Sequence, residues 1–127
     1  MSPGTPSSTA PRVQIFGLEG DQATRAALRF FKERRVAVSF VDLRRRPIAA
    51  GELRRFVERL GAVACADTEG RAWKDAGLGY LRMTEDELAA RLLADRRLLR
   101  LPLARHGNEV TAGRADTTWK AWLAAAG

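Results

Sequence analysis

Val13-Gln14-Ile15-Phe16-Gly17-Leu18-Glu19-Gly20-Asp21-Gln22-Ala23-Thr24-Arg25 is the junction around which the rest of the chain arranges itself. Its first half is a short apolar run closed by a glycine-rich loop, which reads as a strand from about Arg12 to Gly17. The chain then turns through Gly17-Leu18-Glu19-Gly20 straight into a helix. That helix is expected from Asp21 to about Arg35, because Ala23, Ala27, Leu28, Phe30 and Phe31 recur at helical spacing. Asp21 stands where the helix begins. Free N–H groups and the partial positive charge of a first helical turn favour an anion at that place. A cysteine there would gain thiolate character. An aspartate makes a good helix cap, contributing about 1 kcal/mol, and a poor nucleophile toward an oxyanion.

Downstream, Val36 to Asp42 is β-branched and apolar and reads as a second strand, parallel to the first across a right-handed helical crossover. Pro47 closes an arginine-rich loop. Ala50 to Leu60 follows as a helix with Leu53, Phe56, Val57 and Leu60 on one face, stopped by Gly61. Between residues 62 and 100 the pattern is helical and broken. Arg71 to Asp75 is a turn or two before Gly77 and Gly79, Thr84 and Glu87 form a capping box for a helix to about Ala94, and a short helix is expected at Arg96 to Leu99. Leu101 to Arg105 and Glu109 to Ala112 flank His106-Gly107-Asn108 as a β-hairpin. Asp116 to Ala125 closes the chain as a helix carrying Trp119, Trp122 and Leu123 on one side. The order is β-α-β-α, a helical insert, then β-β-α.

The 127 residues suit one domain, expected over residues 12–127, behind a disordered Pro/Ser/Thr/Gly tail at residues 1–11. No secretion signal and no run near the ~18 apolar residues of a membrane span can be read, so a cytoplasmic protein without membrane contact is expected. The net charge of +7 invites a nucleic-acid partner. The basic residues are nearly all arginine and are spread along the chain, with lysine only at positions 32, 74 and 120. The densest cluster, Arg44-Arg45-Arg46, falls in a loop beside Asp42 with no interleaved aromatic residue. Nucleic acid is therefore not the expected partner, because such binding needs several aligned cations.

The element order and several local stretches resemble the arsenate reductase-like family. That family holds glutaredoxin-linked arsenate reductases, uncharacterised relatives and disulfide-stress transcription regulators. Ile15-Phe16-Gly17-Leu18 is similar to its opening strand, Val38-Ser39-Phe40-Val41-Asp42 to its second strand, and Leu53 to Gly61 to its helix ending in Leu-Gly. Gly70-Arg71-Ala72-Trp73-Lys74 resembles its Gly-Thr-Thr-Trp-Arg stretch, and Leu99-Arg100-Leu101-Pro102 its Ile-Lys-Arg-Pro. The resemblance implies an α/β, thioredoxin-like mixed sheet with a cis Leu101–Pro102 bond. It also implies an active-site groove at Gly17, Glu19, Gly20, Asp21, Arg25, Asp67, Arg100, Leu101 and Pro102. In that alignment the family's nucleophilic cysteine falls at Asp21, a neighbouring polar position at Gln22, and an arginine at Leu101. Asp67 and Glu69 stand where relatives place basic or amide residues. Each departure opposes reductase chemistry, because arginine forks hold a dianionic oxyanion and carboxylates repel it.

Cys65 lies among small apolar residues, the setting of a packed structural thiol. His106 is read as a turn histidine rather than a metal ligand, and Trp73, Trp119 and Trp122 as packing residues. No catalytic residue, metal or resident cofactor is expected. The leading expectation is a family member without thiol reductase activity, acting as a binding or regulatory protein. Its partner would be a protein, contacted as the family's regulators contact RNA polymerase. A second reading has glutathione or a partner glutaredoxin supply the thiol while Arg25 or Arg100 holds the anion. A third is a basic nucleic-acid-associated module using Arg44 to Arg46.

Overall fold

The computed structural model describes residues 12–126. The tail expected at residues 1–11 lies outside them. β1 (Arg12–Gly17) leads into α1 (Gln22–Glu33), and the chain returns as β2 (Ala37–Asp42), parallel to β1 from the pair Arg12 and Ala37 to the pair Gly17 and Asp42. α2 (Ala50–Leu60) follows. Then come a 3-10 turn at Val63–Cys65, α3 (Arg71–Asp75), a 3-10 turn at Leu78–Tyr80, α4 (Glu85–Ala94) and a third 3-10 turn at Arg96–Leu98. β3 (Leu103–His106) and β4 (Glu109–Ala112) form the hairpin, and α5 (Asp116–Ala126) ends the described chain. The strands lie in the order β2-β1-β3-β4, with β3 antiparallel to both its neighbours. This is the thioredoxin-like mixed sheet, and the Leu101–Pro102 bond is cis.

The period-two alternation of β1 separates two apolar layers. Val13 and Ile15 face Ala27, Phe30 and Phe31 of α1 and Trp119 and Trp122 of α5. Phe16 faces the other way, into Leu53 and Phe56 of α2, Leu103 and the insert's Leu78, Leu88 and Leu92. Phe16 meets Phe56 edge-on at 5.8 Å between ring centroids, and Phe31 meets Trp119 at 5.4 Å. Burying each such ring contributes about 1.5–3 kcal/mol. Trp119 is fully buried, and its indole Nε1–H donates to Thr111 Oγ1 at 2.9 Å, which ties α5 to the hairpin. No helix of the described residues is long and apolar enough to cross a membrane.

Element ends differ from expectation in two places. α1 stops at Glu33 rather than near Arg35, because Arg35 takes a left-handed φ of 58° that a helix interior does not hold. The first hairpin strand begins only at Leu103 and extends through His106, leaving Gly107 (φ 62°) and Asn108 as the turn. His106 is therefore a strand residue and not a turn residue. Its ring stacks on Trp122 at 5.6 Å and 24°.

Candidate functional site

The loop between β1 and α1 is held by Asp21. Its Oδ2 accepts from the Thr24 backbone N–H at 2.8 Å and from the Thr24 hydroxyl at 2.7 Å, and its own N–H donates to Leu18 O at 2.9 Å. The cap is thus doubly tied, and Thr24 is fully buried beneath it. Gly17 is required here by contact. A Cβ at Gly17 would stand 2.5 Å from Thr24 Oγ1 and 2.6 Å from its Cγ2.

The helical insert brings its two ends back to this loop. Arg100 N–H donates to Cys65 O at 2.8 Å, Asp67 N–H donates to Leu98 O at 2.8 Å, and Ala66 pairs with Leu99 as an isolated antiparallel bridge. The bridge sets Asp67 and Arg100 beside the α1 N-terminus. After the hairpin, Gly113 N–H donates to Arg100 O at 3.2 Å and to Pro102 O at 2.9 Å. The Arg100 side chain lies over Gly113, whose φ of +76° and missing Cβ leave it room.

These segments enclose a cleft of about 380 Å³ with Asp21, Asp67, Arg96, Arg97, Arg100, Leu101 and Arg114 in its wall. Of the residues named for the groove by resemblance, Asp21, Asp67, Arg100 and Leu101 come together in it. Gly17 and Pro102 are buried away from its surface. Glu19 and Gly20 are exposed and do not line it, and Arg25 is turned aside, its Nη1 donating to Glu19 O at 3.2 Å. Glu69 is also absent from the wall and lies 4.0 Å from Lys74.

Arg96, Arg97 and Arg114 escape a sequence reading, because they lie in separate segments among arginines spread along the whole chain. Two of them are already matched. Arg97 forks onto Asp95 at 3.0 and 2.8 Å and holds that carboxyl below the usual range, and Arg114 does the same to Asp116 at 3.1 and 3.3 Å. Arg96 and Arg100 have no ion-pair partner among the described residues. The cleft is thus charge-mixed, with two unmatched cations facing the Asp21 and Asp67 carboxylates. It is less acidic than the sequence comparison implied.

The chain's single thiol is elsewhere. Cys65 is fully buried in the layer of Phe56, Leu92 and Leu98, and its thiol is pushed up to about 11, first by burial and then by the Glu85 charge. Arg45 approaches Asp42 at 3.8 Å, and Arg46 forks onto Glu52 at 2.9 and 2.8 Å, so most of the Arg44–Arg46 charge is matched locally. Among the described residues no three His, Cys, Asp or Glu side chains converge as a metal site would require.

A model of the ArsC family matches residues 22–122. The chain belongs to the ArsC family. The YFFB (PA3664) protein superposes with a TM-score of 0.81 at 19% identity, over 87% of this chain and 98% of that one. The arsenate reductase from Vibrio cholerae gives 0.75 at 20%, over 86% and 95%. SACOL0876 from Staphylococcus aureus COL gives 0.73 at 19%, over 86% and 96%. At such identities the likeness to these ArsC-fold structures is one of fold. No curated protein matches the chain by sequence.

Proposed function

We propose that this ArsC-family protein works without thiol chemistry of its own, as a binding or regulatory protein whose cleft receives a charged group of a partner. The observation that carries this reading is Asp21. A carboxylate doubly hydrogen-bonded by Thr24 occupies the α1 N-terminus, where a thiolate would be activated. Electron transfer through sulfur needs a thiolate. The one thiol in the chain, at about 11, leaves on the order of one molecule in ten thousand ionised at pH 7, and its residue is fully buried. The charge-mixed wall suits a partner segment that carries both signs. A protein partner agrees with the family's regulators, by resemblance.

A second reading keeps the reductase chemistry and supplies the thiol from glutathione or a glutaredoxin. The unmatched Arg96 and Arg100 in the cleft favour it, since they could hold an oxyanion.

Arsenate reduction coupled to glutathione and glutaredoxin tests both. Background rates for the unmodified protein and for Cys65→Ala are expected. Turnover abolished by Cys65→Ala would sink the proposal. Turnover that survives Cys65→Ala but is lost in Arg100→Gln would establish the second reading in its place.

A further inference from the structure

The α2 side of the sheet is apolar for only part of its length. Phe16, Val41, Leu103 and Ala112 form one cross-strand row beneath α2 and the insert. Residues two positions away along each strand share that face. On β2, β1 and β3 the next row is Ser39, Gln14 and Arg105, direct neighbours in register. That row is open, with Ser39 exposed and Gln14 and Arg105 half-buried. Its hydrogen bonds are arranged in one sense. Arg105 Nε and Nη2 donate to Gln14 Oε1 at 3.4 and 3.2 Å, and Arg105 Nη1 donates to Gly107 O at 3.1 Å. These bonds use three of the five guanidinium N–H groups and leave two, while the Gln14 amide N–H groups and the Ser39 hydroxyl donate to no acceptor among the described residues.

Two adjoining clefts meet at Arg105 and Gly107. One, about 400 Å³, adds Arg12. The other, about 510 Å³, adds Arg55 and Arg59 from α2, with Glu58 its only acidic wall residue. None of these four arginines has an ion-pair partner among the described residues, whereas Arg46, Arg97 and Arg114 are each forked onto a carboxylate. The shelf lies toward the Arg12 end of β1, from about 10 Å at Gln14 to about 17 Å at Arg12 along the strand from Gly17.

We propose that this shelf binds a compact soluble ligand carrying two or more linked phosphates. Arg105 is shared between the phosphates, with Arg12 on one side and Arg55 and Arg59 on the other. Guanidinium forks match phosphate oxygens bidentately, and two clefts with a common arginine match a linked pair of anions better than a single one. Each cleft has the volume of a small-molecule site. Neither is lined by an aromatic residue on which nucleic-acid bases would stack.

Calorimetric titration of the full chain with inorganic tripolyphosphate, at about 0.15 M salt, tests the proposal. Binding is expected that exceeds binding of orthophosphate and weakens by roughly tenfold or more in Arg105→Gln. The exposed double variant Arg55→Gln/Arg59→Gln should lose a similar factor, and it keeps the test open if Arg105→Gln folds poorly. Arg44→Gln, the same charge change at the opposite end of the sheet, should leave affinity unaltered. Equal losses in Arg44→Gln, or tripolyphosphate binding no tighter than orthophosphate, would overturn the site. A single-stranded oligonucleotide that outcompetes tripolyphosphate at equal phosphate concentration would overturn the compact ligand.

Discussion

Cys65 and Asp21 hold the two parts of a thiol site in separate places, a sulfur without access and an access point without sulfur. In the unfolded chain the Cys65 thiol titrates near 9.0, and in the folded chain near 11. Between those values the folded protein keeps a proton that the unfolded one releases. Stability from the neutral thiol is therefore complete below about pH 9 and declines as pH rises toward 11, by up to about 3 kcal/mol. Denaturant titrations from about pH 8 to 11 should show the unmodified protein losing stability faster than Cys65→Ala. Parallel curves would contradict the burial of the thiol. Placing sulfur at the other position should do the reverse. Asp21→Cys is expected to react with a disulfide reagent at neutral pH in the folded state, its pKa lowered from the ordinary cysteine value by the α1 N-terminus, while the parent chain stays unreactive until unfolded.

The elements are closed by local chemistry that was largely legible. At α4, Thr84 Oγ1 accepts from Glu87 N–H at 3.1 Å, and Glu87 Oε1 accepts from Thr84 N–H at 2.7 Å, which completes the box read from Thr84-Glu85-Asp86-Glu87. Glu85 Oε2 accepts from Ala62 N–H at 2.5 Å, so the start of α4 is fastened to the chain just past α2. Thr84→Ala should lower unfolding free energy by about 1 kcal/mol, seen as a lower urea midpoint at unchanged slope. The Thr84 backbone N–H holds the Glu87 carboxyl below its usual range, so the Glu87 half of the box is present near neutrality and fades as the solution is acidified. The ends of α1 and of the hairpin were less legible. The left-handed turn at Arg35 carries no glycine to signal it, and Leu101 and Pro102 continue the apolar pattern of β3 without joining its ladder.

Across the whole molecule, the sheet separates two apolar layers, and α5 closes one of them through Trp119. Thr111 Oγ1 is the only acceptor the fold offers to the buried Trp119 indole N–H among the described residues. Thr111→Val should leave that donor unpaired and cost about 1–3 kcal/mol. Tryptophan fluorescence and far-UV circular dichroism should still report one coincident transition, since both layers share β1. A variant as stable as the parent would mean that the N–H bond contributes nothing. The net charge of +7 is likewise organised only at this scale. Arg46, Arg97 and Arg114 are neutralised by nearby carboxylates, while Arg12 and Arg105 of the sheet and Arg55 and Arg59 of α2 gather without ion-pair partners, among the described residues, around the open sheet row.

Strand and helix order, the cap at Asp21, the capping box at Thr84, the stop at Gly61 and the packed state of Cys65 were all contained in the linear chain. Each depends on neighbours within a few residues or on apolar periodicity, and both are written directly in sequence. The wall of the cleft was not. Asp67 and Arg100 were placed there only through the family resemblance, and Arg96, Arg97 and Arg114 were not placed at all. The Ala66–Leu99 bridge returns the insert to α1, the Gly113 bonds to Arg100 O and Pro102 O bring in Arg114, and no local pattern encodes contacts between segments so far apart. Glu69 and Arg25 show the same from the other side: both lie near groove residues in sequence, yet Arg25 donates to Glu19 O and Glu69 lies beside Lys74, and neither lines the cleft.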